Sequence, residues 1–140
     1  MRRAKAKAQR RVEEFLERAR PNDPPVITVP VVSGPTPLVI LLTLGVGVLR
    51  LRRHYIVVTG NAVLVLNAGM WHTAPREIAH VMPRAVAAVS IGKIVLEPLV
   101  IRFRFRLPGH SRYTHLSVGV PWMTDFEAMV RDLTGIVIRR

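Results

Sequence analysis

The chain has 140 residues, with 21 Lys and Arg against 9 Asp and Glu, a formal charge of +12 and 49% hydrophobic residues; that length builds one domain with appendages, not two ordinary domains. It has no cysteine, which excludes disulfide frameworks, thiolate zinc sites and cysteine nucleophiles together and fits a reducing compartment. A chain both strongly basic and apolar calls for an acidic partner, phospholipid headgroup or nucleic acid, and with 6% aromatics and no basic patch interleaved with stacking rings, membrane lipid comes first.

Residues 2–20, RRAKAKAQRRVEEFLERAR, carry eight Lys or Arg and three Glu among good helix formers, with Val12, Phe15, Leu16 and Ala19 at helical spacing. The spacing predicts a basic amphipathic helix over 1–20. One reading is a solvated N-terminal helix, as such charge runs usually are. The other is a helix on an anionic surface, with Phe15 and Leu16 contacting lipid and each basic residue contributing about 1 kcal/mol. A cleavable signal is excluded, because the stretch after the charges holds three Glu where an apolar core is required. Prolines at 21, 24, 25, 30, 35 and 37 then predict an extended linker over 21–37, with a short edge strand over 26–32.

Next comes SGPTPLVILLTLGVGVLRLRRHY, whose residues 38–49 predict a short apolar helix that is membrane-associated or docked. As a helix, residues 35–49 extend about 22 Å, against roughly 30 Å for a bilayer core. Prolines stop it upstream, and Arg50, Arg52 and Arg53 stop it downstream. Apolar residues encircle it, Thr43 apart, so it must be covered on nearly all sides. Three readings stay open: a membrane-embedded hairpin or shallow span, a helix packed on the domain or on a second copy, and a β-rich piece of the domain. Leu38, Ile40, Leu41, Leu42 and Leu44 are the lipid-contacting candidates. Arg50, Arg52 and Arg53 are candidates for headgroup contact, and a helix C-terminus would also attract them. A single span would put the N-terminal helix and the rest of the chain on opposite faces. Basic residues on both flanks favour a re-entrant or interfacial arrangement instead.

From His54 onward short β-rich runs alternate with turn signals. HYIVVTGNAVLVLNAG predicts a hairpin about Gly60-Asn61, a dipeptide suited to positive φ. Further strands are expected over 76–82 and 86–95, and two more about Pro108-Gly109. In PWMTDFEAMVRDLTG, Thr124 and Glu127 read as a capping box and Gly135 as a C-terminal stop. Phe126, Met129, Val130 and Leu133 share the apolar face of the helix between them.

This order, and the segments YIVVTGNAVLVL, REIAHVMPRAVAAVSIG and PWMTDFEAMVRDL within it, resemble the bacterial pleckstrin-homology-like (PH-like) domains, relatives of the PH and GRAM group, of the small actinobacterial type. The likeness covers about residues 50–135. It implies an α+β fold over 50–140: a bent antiparallel sheet or barrel of about seven strands closed by the C-terminal helix, used for lipid, peptide or protein binding and not for catalysis. Where the family's first hairpin carries an Arg, this chain has Ala62.

LVIRFRFRLP alternates Arg102, Arg104 and Arg106 with apolar residues, which in a strand puts the arginines on one face. That face is either a solvated stripe or an anion-binding surface, since guanidinium forks match phosphate oxygens; opposing carboxylates would favour the former, and only Glu77 and Glu97 lie among the strands. The five histidines match no zinc spacing, and no serine sits in a nucleophile elbow. No metal, cofactor or catalytic residue is expected. Trp122 reads as packing at the closing helix, while Trp71 is open between packing and interfacial anchoring. The sequence therefore predicts a non-catalytic, membrane-associated binding module for anionic lipid headgroups or an acidic partner. It would be peripheral or shallowly embedded at the cytoplasmic face of the cell membrane, or cytoplasmic if the apolar helix is docked. An assembly subunit that binds a protein partner or self-associates through that helix is the alternative, and a nucleic-acid-binding protein the second.

Overall fold

A computed structural model of the protein describes residues 2–33, 52–68 and 74–138. Helix α1 (Arg2–Ala19) precedes strands β1 (Pro25–Ser33), β2 (Arg52–Thr59), β3 (Ala62–Ala68) and β4 (Pro75–Pro83). Helix α2 (Arg84–Ser90), strands β5 (Ile91–Leu96), β6 (Val100–Phe105) and β7 (Thr114–Gly119), and helix α3 (Met123–Thr134) follow. The strands form one antiparallel sheet in the order β4-β3-β2-β1-β7-β6-β5, so the fold is α+β, an open seven-stranded sheet with a helix at each terminus.

The proline-rich stretch departs from expectation. The strand expected over 26–32 is present over residues 25–33, but it is the middle strand of the sheet and not an edge, with Val29 and Val31 buried. Proline lacks the N–H that a doubly paired strand must donate, which is why Pro30 argued against a central position. The register removes the conflict: β1 pairs with β2 along its length but with β7 only at Val32 and Ser33. Pro30 thus lies where the strand has a neighbour on one side.

Alternation along the strands creates two faces. The inner face, including Val31, Ile56, Val65, Met82, Phe103, Phe105 and Leu116, packs on Phe126, Met129 and Val130 of α3, the helical face expected from the sequence. Leu133 lies partly buried against the same cluster. The outer face, Tyr55, Val57, Ala62, Leu64 and Leu66, receives Val12 and Leu16 of α1. Leu16 is 1% exposed and Phe15 packs half-buried beside it, so the apolar stripe expected to meet lipid is spent on the sheet.

The expected strand over 86–95 is divided. Residues 84–90 are helical, entered from an extended Pro83 and held by Ala87 in the core and by the Ser90 hydroxyl donating to the Val86 carbonyl at 2.7 Å. Helix α2 joins β4 directly to β5, the two outermost strands. Seven helical residues reach about 10 Å, whereas six strand spacings in a flat sheet would separate those edges by about 29 Å; the sheet must curl to let α2 bridge them.

The terminal helix starts at Met123 after a 3-10 turn over Val120–Trp122 and has no side-chain cap, so Thr124 is its second residue and not its N-cap. Gly135 does end it, at φ +76°, donating its N–H to the Arg131 carbonyl at 2.9 Å; a left-handed residue there favours glycine. The β2–β3 turn is closed differently from expectation. Gly60 does not take positive φ; instead Thr59 Oγ1 accepts from the N–H groups of Asn61 and Ala62.

Candidate functional site

The two ends of the sheet differ in charge. At the β2–β3 turn the ionic groups neutralise one another. Buried Asp23 accepts from Arg20 (3.2 Å) and from Asn61 Nδ2 (3.2 Å). Arg84 donates to the Thr59 carbonyl at 2.7 Å and to Asp132 at 2.6 Å, fastening α2 to the turn and to α3.

At the opposite end no cation makes an ion pair with a carboxylate among the described residues. Ser33, the last residue of β1, pairs with Arg52, the first of β2. Arg53 follows and pairs with Ala68 at the end of β3, next to Arg76 at the start of β4. Because Leu116 pairs with Ser33 while Phe105 pairs with Thr114, the end of β6 and the β6–β7 connection project past the same edge. They bring Arg104, Arg106 and Arg112, with Lys93 near the start of β5. All seven are exposed, and Arg106 lies 5.6 Å from the centroid of the Tyr113 ring. The carboxylate at this rim is Glu77, which accepts from Asn67 at 2.8 Å.

Of the sequence-predicted arginines, Arg52, Arg53, Arg104 and Arg106 come together here. Arg102 is set back on the outer face, where Glu97 lies 3.4 Å from its Nε. Arg102 and Arg104 alternate outward with buried Ile101, Phe103 and Phe105, and only Arg102 meets a carboxylate among the described residues. Arg50 and the lipid-contacting candidates Leu38, Ile40, Leu41, Leu42 and Leu44 lie outside the described residues, as does Trp71. Trp122 packs half-buried against the inner core, with Lys5 5.1 Å above its ring.

A polar chain that the sequence did not disclose runs across four strands just inside this rim. Ser33 Oγ lies 3.0 Å from His54 Nε2, His54 Nδ1 lies 2.9 Å from Asn67 Oδ1, and Asn67 Nδ2 donates to Glu77 Oε1 at 2.8 Å. The roles follow from Glu77: its carboxylate takes the amide N–H₂, leaving Asn67 Oδ1 to accept from Nδ1–H. The Nε2 lone pair is then left for the Ser33 hydroxyl. The chain pins the root of the β1–β2 pair with a neutral imidazole.

Burial lowers the pKa of His54 below its ordinary 6.5; the Asn67 bond opposes this and the Arg52 charge adds to it. Burial also lowers His80, aided by the charges of His110 and His54, whose first ring stands edge-on to His80 at 5.9 Å. For Asp23 burial alone would raise the pKa, but hydrogen bonds from Thr59, Asn61 and Arg20, with the Arg20 charge, outweigh it and hold the carboxyl below its ordinary 3.8. All three groups bind protons more readily when unfolded, so stability rises with pH across each window. It is expected to fall in two steps on acidification: first from pH 6.5 downward as the unfolded imidazoles charge, then below 3.8 as Asp23 protonates. Urea midpoints measured from pH 8 to 3 check this. His54→Gln should flatten the upper step and leave the lower, and a midpoint constant between pH 7 and 5 would refute the first.

Among the described residues no three His, Asp or Glu are placed to hold a metal ion, and no helix is long and apolar enough to cross a membrane. The site is therefore the set of exposed Lys and Arg side chains that strand register assigns to the end of the sheet where Ser33 pairs with Arg52. No protein-family model, curated protein or solved structure matches this chain.

Proposed function

We propose that this chain is a non-catalytic binding module of the bacterial PH-like kind, whose basic rim engages the anionic headgroups of the cytoplasmic face of a membrane. The carrying observation is the charge at one end of the sheet, seven exposed Lys or Arg that register assigns to the end where Ser33 of β1 pairs with Arg52 of β2. Exposed guanidinium groups side by side suit phosphate oxygens, and an apolar run flanked by basic residues suits the headgroup boundary. That Ser33 and Arg52 are adjacent and that α1 packs on the same sheet argues against a single span with α1 and the sheet on opposite faces. On this reading the apolar run 38–49, which lies outside the described residues, supplies the lipid-contacting side chains. Seven strands with a C-terminal helix on one face also agree with what the family resemblance implies, with one departure: the first strand lies upstream of the apolar run.

Flotation with vesicles tests the reading. The protein should float with vesicles containing phosphatidylserine or phosphatidylglycerol, stay behind with phosphatidylcholine alone, and be released as salt rises. Equal flotation with both vesicle types, or none, would end it. Binding to nucleic acid at physiological salt, without flotation, would favour that alternative.

A second reading, an assembly subunit, is favoured by the apolar side chains left exposed on the outermost strands and the helix between them. Val81 of β4 is 47% exposed, Val89 of α2 71% and Leu96 of β5 40%, beside two strand edges with no neighbour among the described residues. Such edges are ready templates for pairing. If they assemble, light scattering after size exclusion should give a mass that rises with concentration, and Val89→Lys should return it to 15.7 kDa. A concentration-independent monomer would count against it.

A further inference from the structure

A second feature lies on the outer face, behind the rim. Arg53 of β2 pairs with Val32 of β1, Val32 with Ser117 of β7, and Ser117 with Arg102 of β6. Residues directly paired across a sheet project to the same side, so the four form one outward row with a guanidinium at each end. Three strand spacings, about 14 Å, separate the ends, a distance two arginine side chains can close over the shorter residues between them. Beside the row is a cavity of about 220 Å³, walled largely by Pro30, Val32, Tyr55, Ala68, Gly119 and Trp122. Arg53 and Ser117 also line it. Neither side chain makes a hydrogen bond or ion pair among the described residues, and Arg102 keeps donors to spare beyond its 3.4 Å contact with Glu97.

An apolar hollow with cations and a hydroxyl at its margin is complementary to a molecule that is apolar at one end and negatively charged at the other. Inorganic phosphate would find only the exposed, screened end of the site, and a neutral chain would leave the cations unused. The volume falls below the roughly 300–1,000 Å³ of common ligand pockets, which favours one chain over a two-chain lipid or a fused ring system. We infer that this hollow binds a single-chain anionic amphiphile as a monomer, its chain against Val32, Ala68 and Trp122 and its head over Ser117 between Arg53 and Arg102. The site shares Arg53 with the rim but needs no bilayer, and so goes beyond the membrane-surface reading.

Octyl phosphate, titrated below its micelle concentration onto the full chain, is the probe. Calorimetry gives the stoichiometry, and emission in a Trp71→Phe background isolates Trp122. The expected result is saturable one-to-one binding, at least tenfold tighter than that of octanol or inorganic phosphate. It should weaken at least tenfold in Arg53→Gln, which removes the charge, and in Ala68→Phe, which fills the hollow. Thermal melts establish that each variant is folded. Should Ala68→Phe not fold, Ser117→Glu, which puts a negative charge under the head, is expected to cause the same loss. Octyl phosphate binding no tighter than octanol, or unchanged in the folded variants, would overturn the site. Flotation of Ala68→Phe with anionic vesicles should match that of the unaltered protein; if flotation disappears together with octyl phosphate binding, the hollow is not a separate site. Failure of the unaltered protein to float with anionic vesicles while it still binds octyl phosphate would sink the membrane reading alone.

Discussion

Phe126→Ala is expected to lower the free energy of unfolding by about 3–5 kcal/mol, a large share of the roughly 5–15 kcal/mol that holds a domain folded. Phe126 is 0% exposed, its ring centroid lies 4.8 Å from that of Phe103, and Phe103 stands edge-on to Phe105 at 6.4 Å. The three rings join α3 to β6 at the middle of the inner face, with Met129 and Val130 continuing the contact one turn on. Truncation removes the transfer free energy of the ring and opens a cavity that a sheet bridged at its edges by α2 cannot easily collapse around. Urea denaturation followed by near-ultraviolet circular dichroism measures the loss. A cost below about 1 kcal/mol would mean that α3 does not cover the inner face in solution.

The second large effect concerns the rim. Replacing Arg52, Arg53, Arg104 and Arg112 together by Gln should weaken partitioning onto anionic vesicles by nearly three orders of magnitude. The figure follows from about 1 kcal/mol for each basic residue near the surface and a factor of ten for each 1.4 kcal/mol. All four side chains are exposed, so thermal stability should change little. The matched control replaces Arg3, Lys7, Arg10 and Arg18, exposed along α1, with Gln. It removes the same charge elsewhere and should cost far less affinity. If both variants lose affinity equally, attraction to total charge explains the binding and the rim has no special part in it.

How far the sequence discloses this arrangement depends on the range of the interaction. Period-2 alternation identified β6, with arginines outward and Ile101, Phe103 and Phe105 inward, because the pattern lies within one strand. Helical spacing likewise found the buried face of α3, and Gly135 marked its end by a local backbone requirement. What was missed required knowing the neighbour. Pro30 argues against a central strand until the short β1–β7 ladder is seen. Val12 and Leu16 form a stripe equally suited to lipid or to a sheet, and only the apolar outer face of β2 and β3 decides between them. The segment 84–90 mixes alanines with valines, and it is the need to cross from β4 to β5 that a helix meets. At the site, Arg52, Arg53, Arg104 and Arg106 were legible as charge clusters. Their union with Arg76, Lys93 and Arg112 depends on register. The chain from Ser33 through His54 and Asn67 to Glu77 joins residues up to 44 positions apart, on four strands, and left no local trace.

The pairing of Ser33 with Arg52 bears on how such a protein could be assembled from parts. Two residues in direct register are already placed to be joined by a two-residue turn such as Asn-Gly, so the ladder on either side makes no geometric demand on the eighteen residues between them. The intervening sequence is a cassette: it can be lengthened, shortened, exchanged or cut out as long as its ends return to the same pair of strands. The paired sheet and the apolar run are then separable parts of one chain, and a short-circuited version would carry the sheet, both terminal helices and the greater part of the rim with the apolar run removed.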